Sequence, residues 1–260
     1  MVKKLKLIAG PCAIEDDSTP FYIAEKVLGI CNKLNIDYVF KGSFKKANRT
    51  SLNSFTGIDQ NKALSILKSV GEKFKVPVLT DIHETTDAKL ASEYVDYLQI
   101  PAFLCRQTDL LIAAGETGKH INIKKGQFVS PSTMAFAVEK VRSTGNNNIL
   151  LTERGTTFGY SNLVVDFTSF PVMSSFGVDT IMDATHCLQR PNQTSGVTGG
   201  DPSMIATMCY ASMAAGADGL FIETHPNPAE AKSDSASMLQ LDKLEEILKK
   251  CIQIRSITCQ

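Results

Sequence analysis

The stretch Thr180-Ile-Met-Asp-Ala-Thr-His186 contains a short apolar run that ends in an acid and a histidine. The same arrangement recurs along the chain, since eight apolar runs are each followed by charged or reactive residues. The runs are Leu5–Ile8, Tyr38–Phe40, Val76–Leu79, Tyr97–Ile100, Ile121–Ile123, Ile149–Leu151, Thr180–Met182 and Gly219–Ile222. Strands that carry their chemistry at one end, separated by helix-length intervals, predict a (β/α)8 TIM barrel.

The residues at or just beyond the ends of these runs are the candidates for chemistry. They are Cys12, Lys41, Asp81, Gln99 with Arg106, Lys124 with Lys125, Glu153 with Arg154, Asp183 with His186, and Glu223. In a (β/α)8 barrel the carboxyl ends of all eight strands meet at one site. We therefore expect these residues to lie together although they are far apart in the sequence.

Length and composition fit a single barrel domain over residues 1–260. The fold typically needs about 250 residues, and no change of composition marks a linker within the 260 residues of this chain. The main alternative is a doubly wound open sheet, which would have a glycine-rich turn after its first strand. Here that turn is Gly10-Pro11-Cys12, so the barrel is favoured.

Apolar residues at helical spacing predict a helix in each interval between the strands. The last predicted helix is Leu239–Ile252. The sixth, near Phe167–Phe176, is the weakest, because Pro171 lies inside it.

Composition argues against several classes of protein. No apolar run approaches the ~18 residues of a membrane span, and a formal net charge of zero gives no sign of a nucleic-acid partner. The seven cysteines show no paired framework, which indicates reduced thiols. We expect a cytoplasmic protein without a membrane or nucleic-acid partner.

A metal site is predicted where three neighbouring strands of the closed barrel end. Cys12 follows the first strand, His186 the seventh and Glu223 the eighth, with Asp234 in the loop beyond. Thiolate, imidazole and carboxylate ligands together suit a divalent transition metal such as Fe, Zn, Mn or Co. The alternative is a structural cysteine and histidine, since the spacing alone is not a metal motif. His83, His120 and His225 are interpreted as non-ligands.

Cations are concentrated at the same predicted rim. They are Lys41, Lys45, Lys46, Arg49, Arg106, Lys124, Lys125, Arg154 and Arg190. In a protein without net charge, this concentration indicates binding of a strongly anionic small molecule, and an arginine beside hydroxyls suits a phosphate. The alternative for any one of them is a solvated rim charge.

The segment from Leu188 to Gly200 is polar and rich in glycine and threonine. It lies between the seventh strand and its helix, where a mobile lid over the barrel mouth would be placed. A passive surface loop is the alternative.

Five motifs give the chain a family resemblance. They are Ala-Gly-Pro-Cys-Ala-Ile-Glu (9–15), Lys-Ala-Asn-Arg-Thr-Ser (46–51), Ile-Pro-Ala-Phe-Leu-Cys-Arg-Gln-Thr-Asp-Leu (100–110), Thr-Glu-Arg-Gly-Thr-Thr-Phe-Gly-Tyr (152–160) and Phe-Ile-Glu-Thr-His-Pro (221–226). Across essentially the whole chain, the sequence resembles the 3-deoxy-D-manno-octulosonate 8-phosphate synthases. The resemblance implies a homotetrameric barrel that condenses phosphoenolpyruvate with D-arabinose 5-phosphate and water, releasing phosphate, in lipopolysaccharide biosynthesis. With Cys12 after its first strand, the chain resembles the metal-dependent branch of the family. The metal-independent branch has asparagine at this position.

The resemblance also implies roles for individual residues. The phosphoenolpyruvate set is Lys41, Lys46, Lys124 and Arg154, with the Ala102 backbone nearby, and Gln99 is a further substrate-binding residue. The arabinose 5-phosphate set is Asn48, Arg49, Thr50 and Asp81, with Arg49 and Thr50 supplied by a neighbouring subunit. The metal set is Cys12, His186, Glu223 and Asp234, and the residues expected to act in catalysis are Lys46, Asp81, His186 and Asp234.

Two alternatives stay open. The sister family that makes 3-deoxy-arabino-heptulosonate 7-phosphate shares the Ala-Gly-Pro-Cys start, but it usually has Lys-Pro-Arg where this chain has Lys46-Ala47-Asn48-Arg49. The other alternative is a barrel that binds sugar phosphates without catalysis. It predicts binding of both ligands without turnover.

Overall fold

A computed structural model describes residues 3–49, 52, 54–191, 193 and 198–258. It contains eight main strands: β1 Lys6–Gly10, β2 Asp37–Lys41, β3 Val78–Asp81, β4 Tyr97–Ile100, β5 His120–Lys124, β6 Ile149–Glu153, β7 Asp179–Asp183 and β8 Gly219–His225. Each is followed by a helix: α1 Thr19–Leu34, α2 Gln60–Phe74, α3 Thr85–Ser92, α4 Thr108–Glu116, α5 Met134–Arg142, α6 Ser169–Ser174, α7 Ile205–Ala214 and α8 Leu244–Thr258.

The strands form a closed parallel barrel, which confirms the predicted fold. Each strand pairs in parallel with the next, and β8 returns to pair with β1. Closure brings the carboxyl ends of β1, β7 and β8 side by side. No helix within the described part of the chain is long and apolar enough to cross a membrane.

The barrel interior has an apolar layer below a polar one. The apolar layer packs together Ile8, Val39, Leu79, Tyr97, Leu150, Ile181 and Phe221. Side chains alternate between the faces of a strand, so the residue two positions later also points inward. Six of those positions hold Lys41, Asp81, Gln99, Thr152, Asp183 and Glu223, and all six side chains are buried. The amino-terminal half of the interior is therefore a packed core, and polar chemistry is confined to the carboxyl end.

Two predicted helices differ from those observed. Leu239 and Gln240 form a short strand that pairs with Thr224 and His225, so α8 begins at Leu244 rather than at Leu239. The helix α6 is only six residues long. Its Pro171 lies in the first turn, where the missing N–H has no intrahelical partner to lose.

Candidate active site

A cleft of about 300 Å³ lies at the carboxyl end of the barrel. Its lining includes twelve of the predicted site residues: Lys41, Lys46, Asn48, Arg49, Asp81, Gln99, Ala102, Lys124, Arg154, His186, Glu223 and Asp234. Cys12 lies next to this lining, with its Sγ donating to Asp234 Oδ2 at 3.3 Å. Thr50 lies outside the described residues.

The rim of cations that the sequence predicted extends beyond the residues that line the cleft. The cations absent from the cleft lining are Lys45, Arg106, Lys125 and Arg190. Lys45 Nζ lies 2.7 Å from Asp87 Oδ1, and the buried Lys125 Nζ lies 3.5 Å from Glu153 Oε1. A position after the end of a strand therefore does not guarantee a place in the cleft.

Three potential ligand atoms from Cys12, Glu223 and Asp234 lie within 4.8 Å of one another. His186 faces the same group, with its Nε2 3.5 Å from Glu223 Oε2 and 3.7 Å from Asp234 Oδ2. The register of β1 against β8 places Gly10 beside Glu223, which brings the following Cys12 to the same end of the barrel. The four residues predicted as metal ligands therefore converge in space.

Asp234 is held in this group by an unusual backbone conformation. Its φ of 50° lies in the left-handed region, where a non-glycine residue is uncommon, although aspartate tolerates it better than most. Local backbone strain of this kind persists where surrounding contacts impose it, and it is concentrated at functional sites.

The chemistry of the group fits a bound cation. Burial, together with the negative charges of Asp234 and Glu223, raises the pKa of the Cys12 thiol to about 12. Glu223 Oε2 is buried and has no hydrogen-bond partner among the described residues. A divalent transition metal would stabilise the Cys12 thiolate and so lower the pKa of the thiol. It would also bind the carboxylate oxygen of Glu223 that has no hydrogen-bond partner.

Asp183 orients the histidine of this group. Its carboxylate accepts the backbone N–H of His186 at 2.9 Å, and its Oδ2 lies 2.8 Å from Nδ1 of the same ring. These contacts turn Nε2 towards Glu223 and Asp234, as a buried carboxylate does for many metal-binding histidines. The place of Asp183 three residues before His186 is the sequence signal for this role, which its position at a strand end does not reveal by itself.

Three of the cations in the cleft lie at the carboxyl ends of different strands, and their surroundings differ. Lys41 Nζ is held by Glu223 Oε1 at 2.5 Å and by the Cys12 carbonyl at 2.7 Å. Lys124 Nζ lies 2.5 Å from Asp183 Oδ2, and burial lowers its pKa although Asp183 opposes this. Arg154 Nη2 donates to Gln189 Oε1 at 2.7 Å.

Lys46 lies between two acidic parts of the cleft. Its Nζ is 4.0 Å from Asp81 Oδ2. Burial alone would lower the pKa of Lys46, but Cys12, Glu223, Asp81 and Asp234 together raise it above the ordinary value. The same ammonium lowers the pKa of Asp81, in opposition to burial. At neutral pH the cleft thus contains a fixed positive charge beside a fixed carboxylate.

Arg49 lines the cleft of its own chain. Its Nε donates to the Phe55 carbonyl at 3.1 Å, its Nη1 lies 3.4 Å from Asp234 Oδ1, and its Nη2 contacts Ser233. A neighbouring subunit is not needed to bring the guanidinium to this position. The expectation that a neighbour supplies Arg49 stays a prediction.

The predicted lid borders the cleft at both of its ends. Gln189 and Arg190 pair with Gly199 and Gly200 as a short antiparallel ribbon. Gln189, Pro191 and Thr198 line the cleft, and residues 192 and 194–197 lie outside the described part of the chain. The position of the segment from Leu188 to Gly200 agrees with a lid, and the motion of this segment stays a prediction.

The cleft also contains residues that the sequence analysis did not assign. Gln127 and His83 line it, and Gln127 Oε1 and His83 Nδ1 are buried without a hydrogen-bond partner among the described residues. Burial lowers the pKa of His83, although Asp81 and Asp87 oppose this.

Comparison with known proteins shows matches over nearly the whole chain. Residues 2–260 match the model of the DAHP synthetase I family. A 2-dehydro-3-deoxyphosphooctonate aldolase of Koribacter versatilis is 51% identical over 255 residues, covering 97% of this chain and 91% of the relative. Proteins with the same name from Fusobacterium nucleatum and Desulfotalea psychrophila are 49% and 48% identical, covering 98% and 97% of this chain and 92% and 90% of their own.

Proposed function

We propose that this chain, which belongs to the DAHP synthetase I family, condenses phosphoenolpyruvate with D-arabinose 5-phosphate. Within the family it is an enzyme of the 2-dehydro-3-deoxyphosphooctonate aldolase group. Water is the third reactant, and the products are 3-deoxy-D-manno-octulosonate 8-phosphate and inorganic phosphate, in lipopolysaccharide biosynthesis. The observation that carries this proposal is one cleft that holds several buried cations beside a fixed carboxylate. Two phosphorylated substrates need such positive charge to enter a buried site.

Phosphoenolpyruvate is assigned to the side of the cleft formed by Lys46, Lys124 and Arg154. These cations come from separate elements and face one space, with the Ala102 backbone in the same lining. They would balance the negative charge of the phosphate and the carboxylate. Lys41 was expected in the same set, but its ammonium is already held by Glu223 and a carbonyl.

Arabinose 5-phosphate is assigned to Asn48, Arg49 and Asp81. The guanidinium of Arg49 suits the sugar phosphate, and the ionised carboxylate of Asp81 can accept hydrogen bonds from sugar hydroxyls. The expected contribution of Thr50 falls outside the described residues. In the reaction, carbon three of phosphoenolpyruvate attacks the aldehyde, water adds to carbon two, and phosphate leaves by C–O cleavage.

A divalent transition metal (Fe, Zn, Mn or Co) would be held by Cys12, His186, Glu223 and Asp234. When bound, such an ion supplies Lewis acidity near the sugar aldehyde and the attacking water. The chain itself contributes the orientation of His186 by Asp183 and the placement of Glu223 by Lys41. Lys46 lies close enough to Asp81 to balance its charge while both substrates are bound.

We also propose a homotetramer in the cytoplasm. Four phenylalanines in the segments that follow β4, β5 and β6 are more than half exposed: Phe103, Phe128, Phe136 and Phe158. Exposed aromatic side chains that form one patch favour contact with another subunit. Sedimentation of the wild-type chain tests the assembly, and a fully active monomer would contradict it.

The choice of aldose separates this proposal from the sister reaction. Because Ala47 and Asn48 replace the proline pattern of the heptulosonate family, we expect kcat/KM for arabinose 5-phosphate to exceed that for erythrose 4-phosphate by about a hundredfold. Phosphate release is measured with phosphoenolpyruvate and each aldose in parallel. Comparable values for the two aldoses would rule out the assignment, and binding of both substrates without turnover would favour the non-catalytic alternative.

A further inference from the structure

A continuous line of buried polar side chains crosses the barrel interior beneath the cleft. Thr152 Oγ1 donates to Asn122 Oδ1 at 2.6 Å, and Asn122 Nδ2 donates to Gln99 Oε1 at 2.8 Å. Gln99 Nε2 then donates to Asp81 Oδ1, and Ser43 donates to the other oxygen of the same carboxylate. Thr152 and Asn122 are fully buried, so no contact with bulk water replaces these hydrogen bonds.

The register of the barrel explains why the line is continuous. Asp81 on β3 is the direct partner of Gln99 on β4, and Gln99 is the direct partner of Asn122 on β5. Thr152 follows on β6, one inward position above Leu150 of the apolar layer. Each member therefore comes from a different strand, and none can move without breaking a hydrogen bond to its neighbour.

The carboxylate at one end fixes the direction of every hydrogen bond in the line. An ionised Asp81 can only accept, so Gln99 must present its NH2 group to it. The amide oxygen of Gln99 then faces Asn122, which must present its own NH2 group, and Thr152 must donate its hydroxyl hydrogen. A flipped amide would set two acceptors against each other in a buried site, which is unfavourable.

We propose that Thr152 and Asn122 are positioning residues, which fix the amide of Gln99 and through it the carboxylate of Asp81 for the aldose phosphate. This inference rests on the proposed function, because Asp81 is the residue assigned to the sugar. Neither Thr152 nor Asn122 lines the cleft, so they act on the substrate only through Gln99. With one oxygen held by Gln99 and the other by Ser43, the remaining acceptor directions of Asp81 are fixed relative to the cleft.

Thr152→Val tests the line, since it removes the terminal donor while it keeps the shape of the side chain. The KM for arabinose 5-phosphate is expected to rise about fivefold to tenfold, the effect of one hydrogen bond, while the KM for phosphoenolpyruvate changes less than about twofold. Thr152→Ser keeps the hydroxyl and should restore the wild-type KM. The matched control is Thr180→Val, because Thr180 is equally buried in the barrel and donates to Asp218 at 3.2 Å, outside the cleft.

A second measurement tests the line of hydrogen bonds by NMR and does not depend on turnover. In protein labelled with ¹⁵N in glutamine side chains, the Gln99 amide signal is assigned by its loss in Gln99→Met. We expect this signal to shift in Thr152→Val and to stay in place in Thr152→Ser and Thr180→Val.

The outcomes separate this inference from the proposed function. An unchanged Gln99 signal in Thr152→Val would show that no continuous line of hydrogen bonds connects Thr152 to Gln99. An unchanged KM for the aldose, or an equal rise in Thr180→Val, would overturn its positioning role. If the wild type did not turn over arabinose 5-phosphate, the proposed function would fail and the amide signal would still decide whether the line exists.

Discussion

Prolonged chelation is expected to abolish turnover, and addition of a divalent transition metal is expected to restore it. Without a cation, the site brings two carboxylates against a buried thiol whose pKa is raised to about 12. A bound metal contributes several kcal/mol of charge stabilisation, so we expect activity to fall about a thousandfold. Metal content per chain is measured by mass spectrometry before and after chelation. Full activity after verified metal removal would show that Cys12 is only a small buried side chain.

Substitutions of the cluster extend this prediction. His186→Ala should lose both metal and activity, because Nε2 of that ring faces two of the other ligands. Cys12→Asn should bind metal weakly and keep some turnover if orientation of the substrate is the main role of the ion. Loading with Co²⁺ gives a readout besides activity, since its thiolate absorption should disappear in Cys12→Asn. That absorption should persist in the control Cys31→Ala, because Cys31 lies on the buried face of α1 and is not part of the cluster.

Lys46→Met is expected to lower kcat/KM about a hundredfold. The substitution removes the charge that lies 4.0 Å from Asp81 and leaves that buried carboxylate without its nearest cleft cation. It also removes a charge-assisted contact assigned to phosphoenolpyruvate, and each such loss is large in a buried site. Steady-state kinetics with both substrates varied in turn measure the effect.

Lys45→Met is the matched control for this substitution. Lys45 is adjacent in the sequence, but its ammonium pairs with Asp87 and does not line the cleft. We expect Lys45→Met to keep kcat/KM within about threefold of the wild type, because its partly buried ion pair with Asp87 lies outside the cleft. Equal losses in the two variants would mean that Lys46 acts on the fold and not on the substrates.

The sequence predicted the barrel because each strand carries its own signal. Runs such as Tyr97–Ile100 and Thr180–Met182 are short, apolar and followed by polar residues, and all eight runs overlap strands of the structure. The end of the chain was predicted less well. Apolar spacing alone could not show that Leu239 pairs with β8 instead of starting the last helix.

The site was predictable where a residue type is rare and was missed where it is common. Cys12, His186 and Glu223 are notable at strand ends, and the closed barrel brings them together. Thr152 and Asn122 resemble ordinary strand residues, so only the alternation with the apolar layer reveals that they point inward. Lys124 and Lys125 are adjacent and of the same type, so residue type could not show that only Lys124 lines the cleft.

The condensation itself is tested most directly with phosphoenolpyruvate that carries ¹⁸O in its bridging C–O–P oxygen, followed by ³¹P NMR. We predict one equivalent of inorganic phosphate per phosphoenolpyruvate consumed, only when arabinose 5-phosphate is present. The phosphate should retain the label, since C–O cleavage leaves the bridging oxygen on phosphorus. Phosphate released equally without the aldose, or released without the label, would contradict the proposed reaction.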